Sequence, residues 1–250
     1  MPGNGVDAGQ DPASRELFLA AQSGDVPTVR ALCQDGAEVN AATAEGVTPL
    51  LVASQAGHLE VAQLLSDAGA EQRAALDGGS PLLVAAFHGH PDMVRFLLDA
   101  GADKDQQRKN GATSLYLAAM KGHLEVVRVL CDAGADMDKC RSNSATPLHA
   151  AAEHGHLEVV QLLAEAGARV KKQTIFGGTA LHAAEENGHR DVEEFLRSFP
   201  TDEPDENPGG CSFMVMLTLG LSVLFILFFA ALTHWANMSV YRVVKKRQEL

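Results

Sequence analysis

A nine-residue phrase recurs along this chain at an almost constant interval, and this repeat constrains the fold more than any other feature. The first clear copy reads GHLEVAQLL, and the five clear copies begin at Gly57, Gly89, Gly122, Gly155 and Gly188. A weaker copy begins at Gly24, and the six leading glycines are 33, 32, 33, 33 and 33 residues apart. A constant period of this length predicts a stacked array, in which each repeat buries its apolar face against its neighbours.

Each repeat contains the signals for two short helices and a loop. In the second repeat, Thr48 can cap a helix whose first residue, Pro49, has no N–H that would be left unpaired. Gly57 ends this helix, and apolar residues at helical spacing predict a second helix that ends at Gly69. The loop of about ten residues that leads to the next cap is short enough to be a hairpin. The repeats are therefore expected to be all-α.

These residues resemble the ankyrin repeat family, which has the same 33-residue period and a TPLHxA signature. The signature reads TPLL at Thr48, SPLL at Ser80, TSLY at Thr113, TPLH at Thr146 and TALH at Thr179. The resemblance covers residues 14–199 and implies a solenoid of six helix-turn-helix-hairpin repeats, of which the first and last are caps. Only His149 and His182 keep the signature histidine, which in relatives forms a hydrogen bond between helix and loop.

Composition and motifs favour a binding protein over an enzyme. The formal net charge of −12 does not suit nucleic-acid binding, because Lys and Arg must displace counterions from phosphates. The sequence has no GxSxG, HExxH, Walker or dinucleotide-binding motif. We therefore predict no catalytic residue, no cofactor, no small-molecule substrate and no nucleic-acid partner. The expected partners are proteins.

Histidines and cysteines are also explained by the repeat. Five histidines follow the glycine between the helices, and because they lie one repeat apart they are too far from one another to share a metal ion at about 2 Å per bond. We predict that these histidines stabilise the turns between the helices, and they are His58, His90, His123, His156 and His189. Cys33 and Cys131 share one position of repeats one and four, which predicts small core residues and a reducing compartment.

The resemblance also implies where partners bind. The family contacts partners through hairpin tips and the inner face of the first helices, and the matching positions here are Val84, Phe87, His88, Tyr116, Leu117, Met120, Lys121, Glu153 and His154. Phe87, Tyr116 and Met120 are large apolar groups, and neighbouring repeats carry Gln55, Glu153 and Glu186. A central aromatic patch of this kind is typical of a binding hot spot. The alternative is that the three side chains pack against the adjacent repeat.

Nine of the sixteen basic residues of the array lie in its loops, and they are Arg73, Lys104, Arg108, Lys109, Lys139, Arg141, Arg169, Lys171 and Lys172. If the loops project as one row, their basic groups form a ridge on an acidic body, with Arg108, Lys109 and Arg141 near its middle. One hypothesis is that this ridge docks an acidic partner segment or an anionic membrane surface. The alternative is a set of solvated loops with mixed charge.

The sequence after the array predicts a membrane anchor. Residues 200–211 are acidic and rich in Pro and Gly, which predicts a flexible linker. Residues 213–232 carry no charge and would span about 30 Å as a helix, the thickness of a hydrocarbon core. We predict one transmembrane helix within 212–235 and a short basic tail over 236–250. Residues 1–13 are predicted to be disordered.

The position of the span indicates a tail-anchored protein. Its flanking charges alone would place the C-terminus in the cytosol. A single span so close to the C-terminus, without a signal peptide, instead leaves the array in the cytosol. The last residues, Arg247, Gln248, Glu249 and Leu250, resemble a KDEL-type retrieval signal and favour the ER membrane. The basic tail also resembles mitochondrial outer-membrane anchors, and Cys211 is a candidate for palmitoylation.

The sequence as a whole predicts a non-catalytic adaptor that binds proteins at an intracellular membrane. The alternative function is an accessory subunit of a channel, transporter or membrane enzyme that associates through its transmembrane helix. Small residues that would favour such helix pairing are Thr218, Gly220 and Ser222.

Overall fold

The computed structural model describes residues 11–72, 75–76 and 78–200 of the 250-residue chain. Within these ranges there are twelve α-helices and no β-strand, which confirms the predicted all-α class. Each of six repeats consists of an inner helix followed by an outer helix. The inner helices are α1 (Pro12–Ser23), α3 (Pro49–Ala56), α5 (Pro81–His88), α7 (Ser114–Lys121), α9 (Pro147–Glu153) and α11 (Ala180–Asn187). The outer helices are α2 (Val26–Gln34), α4 (Leu59–Asp67), α6 (Pro91–Asp99), α8 (Leu124–Asp132), α10 (Leu157–Glu165) and α12 (Arg190–Ser198).

The inner helices begin where the sequence places their caps. The hydroxyl oxygen of Thr48 accepts a hydrogen bond from the Leu51 N–H at 3.3 Å. Equivalent caps open α5, α7, α9 and α11. In α1 the cap is Asp11, whose carboxylate accepts from the Ser14 N–H at 2.9 Å. Residues 12 and 13, assigned to a disordered terminus from the sequence, are therefore helical.

The turn between the two helices of a repeat requires glycine for two reasons. Gly122 ends α7 with a φ of 74°, in the left-handed region that side chains disfavour. A Cβ at this position would also lie 2.6 Å from Nδ1 of His156, in the next repeat. The histidine ring fills the space that a side chain would need. The joint recurrence of Gly and His along the sequence follows from this contact between repeats.

One continuous apolar core extends through all six repeats, from Leu17 to Leu196. Inner helices pack against neighbouring inner helices, and outer helices against outer helices. A column of buried leucines on the outer helices shows the regularity of this packing, and its members are Leu65, Leu97, Leu130, Leu163 and Leu196. Each repeat thus buries its apolar face against its neighbours, as the period predicts.

The last repeat closes the described part of the array with a polar face. Helix α12 buries only Val192 and Leu196. Arg197 pairs with Glu185 at 2.8 Å and with Glu193 at 2.6 Å on the exposed side. These ion pairs keep the outer surface of repeat six hydrophilic, as a terminal cap requires.

The described cysteines pack with the core or near it, and none of them forms a disulfide. Cys33 and Cys131 are half-buried against the main core, and Cys140 is buried. Burial, together with the neighbouring charge of Asp132, raises the pKa of Cys131 to about 11. Its thiol is therefore protonated at neutral pH and behaves as a small apolar group.

The predicted membrane anchor lies outside the described residues. So do the linker from residue 201 onward, Cys211, and the retrieval-like signal at Arg247, Gln248, Glu249 and Leu250. Among the helices of the described ranges, none combines the length and the apolar character needed to cross a membrane. The anchor therefore stays a prediction from the sequence.

Candidate protein-binding surface

Hairpin turns join the repeats and form a row. In one hairpin, the Arg108 N–H donates to the Ala112 carbonyl at 2.9 Å, and the Gly111 N–H donates to the Arg108 carbonyl at 2.8 Å. The same pattern closes the hairpins that begin at Thr43, Ala75, Arg141 and Thr174. Neighbouring tips are bonded to one another, since the Ser142 N–H donates to the Asn110 carbonyl at 3.2 Å. We call this set of five turns the hairpin row.

Several basic groups of the loops hold the scaffold together. The Lys104 ammonium donates to the Ala133 carbonyl at 2.7 Å, and that of Lys172 donates to the Asp138 carbonyl at 2.6 Å. Arg169 lies 3.5 Å from the Asp138 carboxylate. These contacts direct part of the predicted basic ridge into the protein. The described loops therefore present a narrower basic surface than their composition suggests.

The three residues placed near the middle of that ridge have different environments. Lys109 is exposed at its hairpin tip, and Arg108 is half-buried beneath it. Arg141 lies over the ring of Tyr116, with 5.3 Å between the guanidinium carbon and the ring centroid. Its Nη1 also donates to the Tyr116 hydroxyl at 3.2 Å. Arg141 thus connects a hairpin to an inner helix.

A second apolar cluster lies beside the main core, between inner helices α5, α7 and α9 and two hairpins. Its buried members are Leu83, Ala112, Tyr116, Leu117, Ala145 and Ala150. Phe87 and Met120 are half-buried and pack against it. We call these eight residues the inner-helix cluster. It unites all three large apolar residues that the sequence singled out.

Tyr116 differs from the other two because it is only 3% exposed. It stands at the signature position that His149 occupies in repeat five, and it is out of register with Gln55 and Glu153. His149 donates from Nε2 to the Gly178 carbonyl at 3.3 Å, which links its helix to the next hairpin. The contact of Tyr116 with Arg141 makes the corresponding link in repeat four. Tyr116 therefore has the packing role that was the alternative for this residue.

Phe87 and Met120 do share a register with the polar residues of neighbouring repeats, and this column consists of Gln55, Phe87, Met120, Glu153 and Glu186. The Lys121 ammonium lies 4.7 Å from the Phe87 ring centroid, within cation–π range. The His88 ring meets the same phenyl ring edge-on at 5.1 Å. Two adjacent repeats therefore present apolar and cationic groups on a face that is polar in the repeats beside them.

A pocket of about 200 Å³ opens next to Phe87. Its apolar lining comprises Leu83, Val84, Phe87 and Leu117, and its polar lining comprises Gln55, His88 and Arg108. The pocket brings together Val84, Phe87 and His88 of α5, Leu117 of α7 and Arg108 of a hairpin, five of the predicted binding residues. Glu153 and His154 are exposed one repeat beyond Met120 and do not line it.

Gln55 and Leu83 line the pocket, although the sequence reasoning did not select them. Leu83 could have been selected from the sequence, because it replaces the signature histidine in the SPLL motif of repeat three. In repeat three, Leu83 therefore forms an apolar wall of the pocket. In repeat five, His149 at the same position instead makes a polar link to the next hairpin.

The five regular histidines hold the backbone beneath this surface. His123 donates from Nε2 to the Phe87 carbonyl at 3.1 Å, and His156 donates to the Met120 carbonyl at 3.2 Å. His58, His90 and His189 make the same contact to Gln22, Gln55 and Glu153. Over the described ranges, no group of three His, Cys, Asp or Glu residues could hold a metal ion. The ring nitrogens of four of these histidines thus hold the backbone of Gln55, Phe87, Met120 and Glu153, four of the five residues of the column.

Comparisons with known proteins agree on the architecture. A family model described as ankyrin repeats (3 copies) matches residues 5–75, 67–139, 82–174 and 134–208. The similar solved structures include the crystal structure of the human ASB11 ankyrin repeat domain, with a TM-score of 0.70 and 28% sequence identity. That alignment covers 80% of this chain and 89% of the human domain. Among curated protein sequences, no match was found.

Proposed function

Because this chain belongs to the ankyrin repeat family, we propose that it is a non-catalytic adaptor that binds a protein partner through the inner helices of repeats three and four. Ankyrin repeats form interaction scaffolds, and the comparisons indicate no enzymatic family. The observation that carries the proposal is the exposed part of Phe87 and Met120. Both occupy a column that is polar in the neighbouring repeats, and neither belongs to the main core.

Two features of the repeats support the proposed use of this column for recognition. Residues of the main core are constrained by the next repeat, and the regular histidines bind carbonyl groups whatever the side chain. A residue of the column keeps its backbone position when its side chain changes. Large apolar groups at half-exposed positions are typical of residues that dominate binding energy.

The test replaces the two residues by those of the same column in neighbouring repeats. The variant Phe87→Gln, Met120→Glu keeps the main core, because both side chains are only half-buried. Proteins that copurify with the full-length chain are quantified by mass spectrometry. We expect the recovery of specific partners to fall by about tenfold, which corresponds to about 1.4 kcal/mol. The matched control is Arg95→Ala, Arg128→Ala on the exposed side of outer helices, with unchanged recovery. Equal recovery with the inner-helix variant would refute the proposal.

We further propose that residues 213–232 tether the array to the ER membrane in a tail-anchored topology, with the array in the cytosol. The support is the uncharged stretch of 20 residues and the resemblance of Arg247 to Leu250 to a KDEL-type signal. A glycosylation reporter appended after Leu250 tests both the membrane and the orientation, and we expect it to be glycosylated. Protection of the array from protease in sealed vesicles would contradict this topology. Localisation of the protein to mitochondria would contradict the proposed ER membrane.

The accessory-subunit function makes a different prediction for partner recovery. It depends on the small-residue face that Thr218, Gly220 and Ser222 would form on a spanning helix. Replacing these three by Leu should then abolish partner recovery, whereas the variant at Phe87 and Met120 should leave it unchanged. The adaptor function predicts the opposite pair of results.

A further inference from the structure

We propose that the pocket beside Phe87 receives one bulky apolar side chain of the protein partner, and that the same partner segment carries a carboxylate, next to that side chain, which Arg108 and Lys121 bind. This inference rests on the proposed function of the inner-helix face and specifies the chemistry of its partner. The partner is therefore an acidic segment with an aromatic or large aliphatic anchor.

The size of the pocket selects a side chain over a small-molecule ligand. Its volume is about 200 Å³. Pockets for small molecules usually enclose about 300–1,000 Å³. A depression of about 460 Å³ on α12 is larger, but its described lining residues, Arg190, Glu193, Glu194, Arg197 and Ser198, are all polar. The pocket beside Phe87 is instead suited to a single anchor residue, the usual centre of a binding hot spot.

The walls of the pocket are held in place before any partner arrives. Leu83 is 1% exposed and Leu117 is 6% exposed, so both are fixed by packing between adjacent inner helices. His123 binds the carbonyl of Phe87 at 3.1 Å. Because these groups are already ordered, an incoming side chain causes little further loss of conformational entropy in the array.

The charge around the pocket selects the neighbouring group of the partner. Among its described lining residues, Arg108 carries a guanidinium group, whose several N–H donors can bind a carboxylate. The Lys121 ammonium lies 4.7 Å from the centroid of the Phe87 ring, which forms part of the wall. A carboxylate at this place would form charge-assisted hydrogen bonds with either cation.

The test selects peptides from a phage-displayed random dodecapeptide library on the full-length chain in detergent micelles. We expect the enriched peptides to share a bulky apolar residue next to Asp or Glu. A synthetic peptide of that consensus should bind about tenfold more weakly to Val84→Trp, in which the indole occupies the pocket. Binding to Arg95→Glu, an exposed change on an outer helix, should be unchanged.

A charge exchange keeps the test valid if Val84→Trp alters the fold. The variant Arg108→Glu, Lys121→Glu should bind the acidic peptide about tenfold more weakly. It should bind the matched peptide with Lys in place of the acidic residue more tightly than the unmodified chain does. Far-UV circular dichroism of each variant reports whether the helices are retained.

Three outcomes would overturn the inference. They are the absence of enriched peptides, enrichment of basic or purely polar peptides, and equal binding to Val84→Trp and the unmodified chain. The proposed function survives these outcomes if protein recovery still depends on Phe87 and Met120. If recovery does not depend on these residues either, both proposals fail.

Discussion

Two adjacent features of the inner helices follow opposite rules. At the turn that follows each of the inner helices α1, α3, α5, α7 and α9, a glycine and the histidine of the next repeat recur almost without change. In the column immediately beneath, the side chains differ in every central repeat. The two features meet at one type of hydrogen bond, which His123 donates to the Phe87 carbonyl and His156 to the Met120 carbonyl.

The difference shows how such an array separates stability from recognition. The histidines bind backbone carbonyls, so the strength of the contact does not depend on the side chain of the residue they hold. Side chains in the column can therefore change from polar to apolar while the stacking is preserved. In the proposed function, the partner is recognised by residues that differ between repeats, whereas the fold is stabilised by residues that recur.

The largest expected effect is a difference in stability between truncations of the two aromatic residues of the inner-helix cluster, one buried in the scaffold and one at the surface. Tyr116 is 3% exposed, so Tyr116→Ala should lower the free energy of unfolding by about 3 kcal/mol. Phe87→Ala, at a half-buried position, should cost about 1 kcal/mol and mainly weaken partner binding. Equilibrium urea unfolding followed by circular dichroism measures both. Similar losses for the two variants would contradict the division between them.

The regular turn can be tested at its glycine. Gly122→Ala introduces a Cβ at 2.6 Å from the His156 ring, in a left-handed backbone conformation. We expect a loss of at least about 2 kcal/mol in the free energy of unfolding.

The matched control for this change is Gly101→Ala. Gly101 has a φ of 87°, but a Cβ there would meet no atom within 4 Å. Gly101→Ala should therefore lower the free energy of unfolding by about 1 kcal/mol, the cost of a side chain in the left-handed backbone conformation alone. A loss as large as that of Gly122→Ala would show that contact with the histidine ring is unimportant.

Loss of the hydrogen bond that joins the recurring turn to the column should have a smaller effect on the free energy of unfolding. His123→Ala removes the hydrogen bond to the Phe87 carbonyl and should cost about 1 kcal/mol. It should also speed hydrogen exchange of the amides at the end of α5, because the turn is less constrained. His154→Ala is the control, since exposed His154 bonds only to the Ala150 carbonyl of its own helix. Equal exchange in both variants would show that His123 does not hold the surface.

The fold could be predicted because the same physical requirement is repeated along the chain. A left-handed turn filled by the next histidine ring leaves Gly and His as a paired signal, as at Gly122 and His156. The caps were equally visible, because Thr48 and its counterparts precede the first helical residue. One departure is at the N-terminus, where Asp11 starts α1 earlier than the repeat pattern indicates.

The candidate site was only partly predictable, because it depends on contacts between repeats. The sequence shows Tyr116 and Met120 as large apolar residues of one helix, but Arg141 of the next hairpin determines that Tyr116 is used internally. Likewise, Lys104 and Lys172 were expected in a solvent-facing ridge and instead bind carbonyls of neighbouring turns. Which side of a helix or loop faces the next repeat is a tertiary property that spacing alone does not encode.

Acidification should produce the smallest effect, and it distinguishes the two signature histidines that the chain retains. Buried His149 accepts at Nδ1 from the Thr146 N–H at 3.3 Å and donates from Nε2 to the Gly178 carbonyl, an arrangement that requires the neutral ring. Burial lowers the pKa of His149, with a smaller contribution from the charge of Lys172. Above the unfolded-state pKa of about 6.5 the ring is neutral in both states, so its contribution to stability is complete. As the pH falls through that value and on towards the lower folded-state pKa, the unfolded chain takes up a proton that the folded chain resists, and stability is lost.

The loss of unfolding free energy between about pH 7.5 and about pH 5.5 should therefore be smaller in His149→Leu than in the unmodified chain. His182→Leu, the same change at the signature position where the ring is exposed, is the matched control for the loss of an imidazole. An equal pH dependence in His149→Leu and the unmodified chain would show that the buried link between helix and hairpin does not depend on the neutral ring.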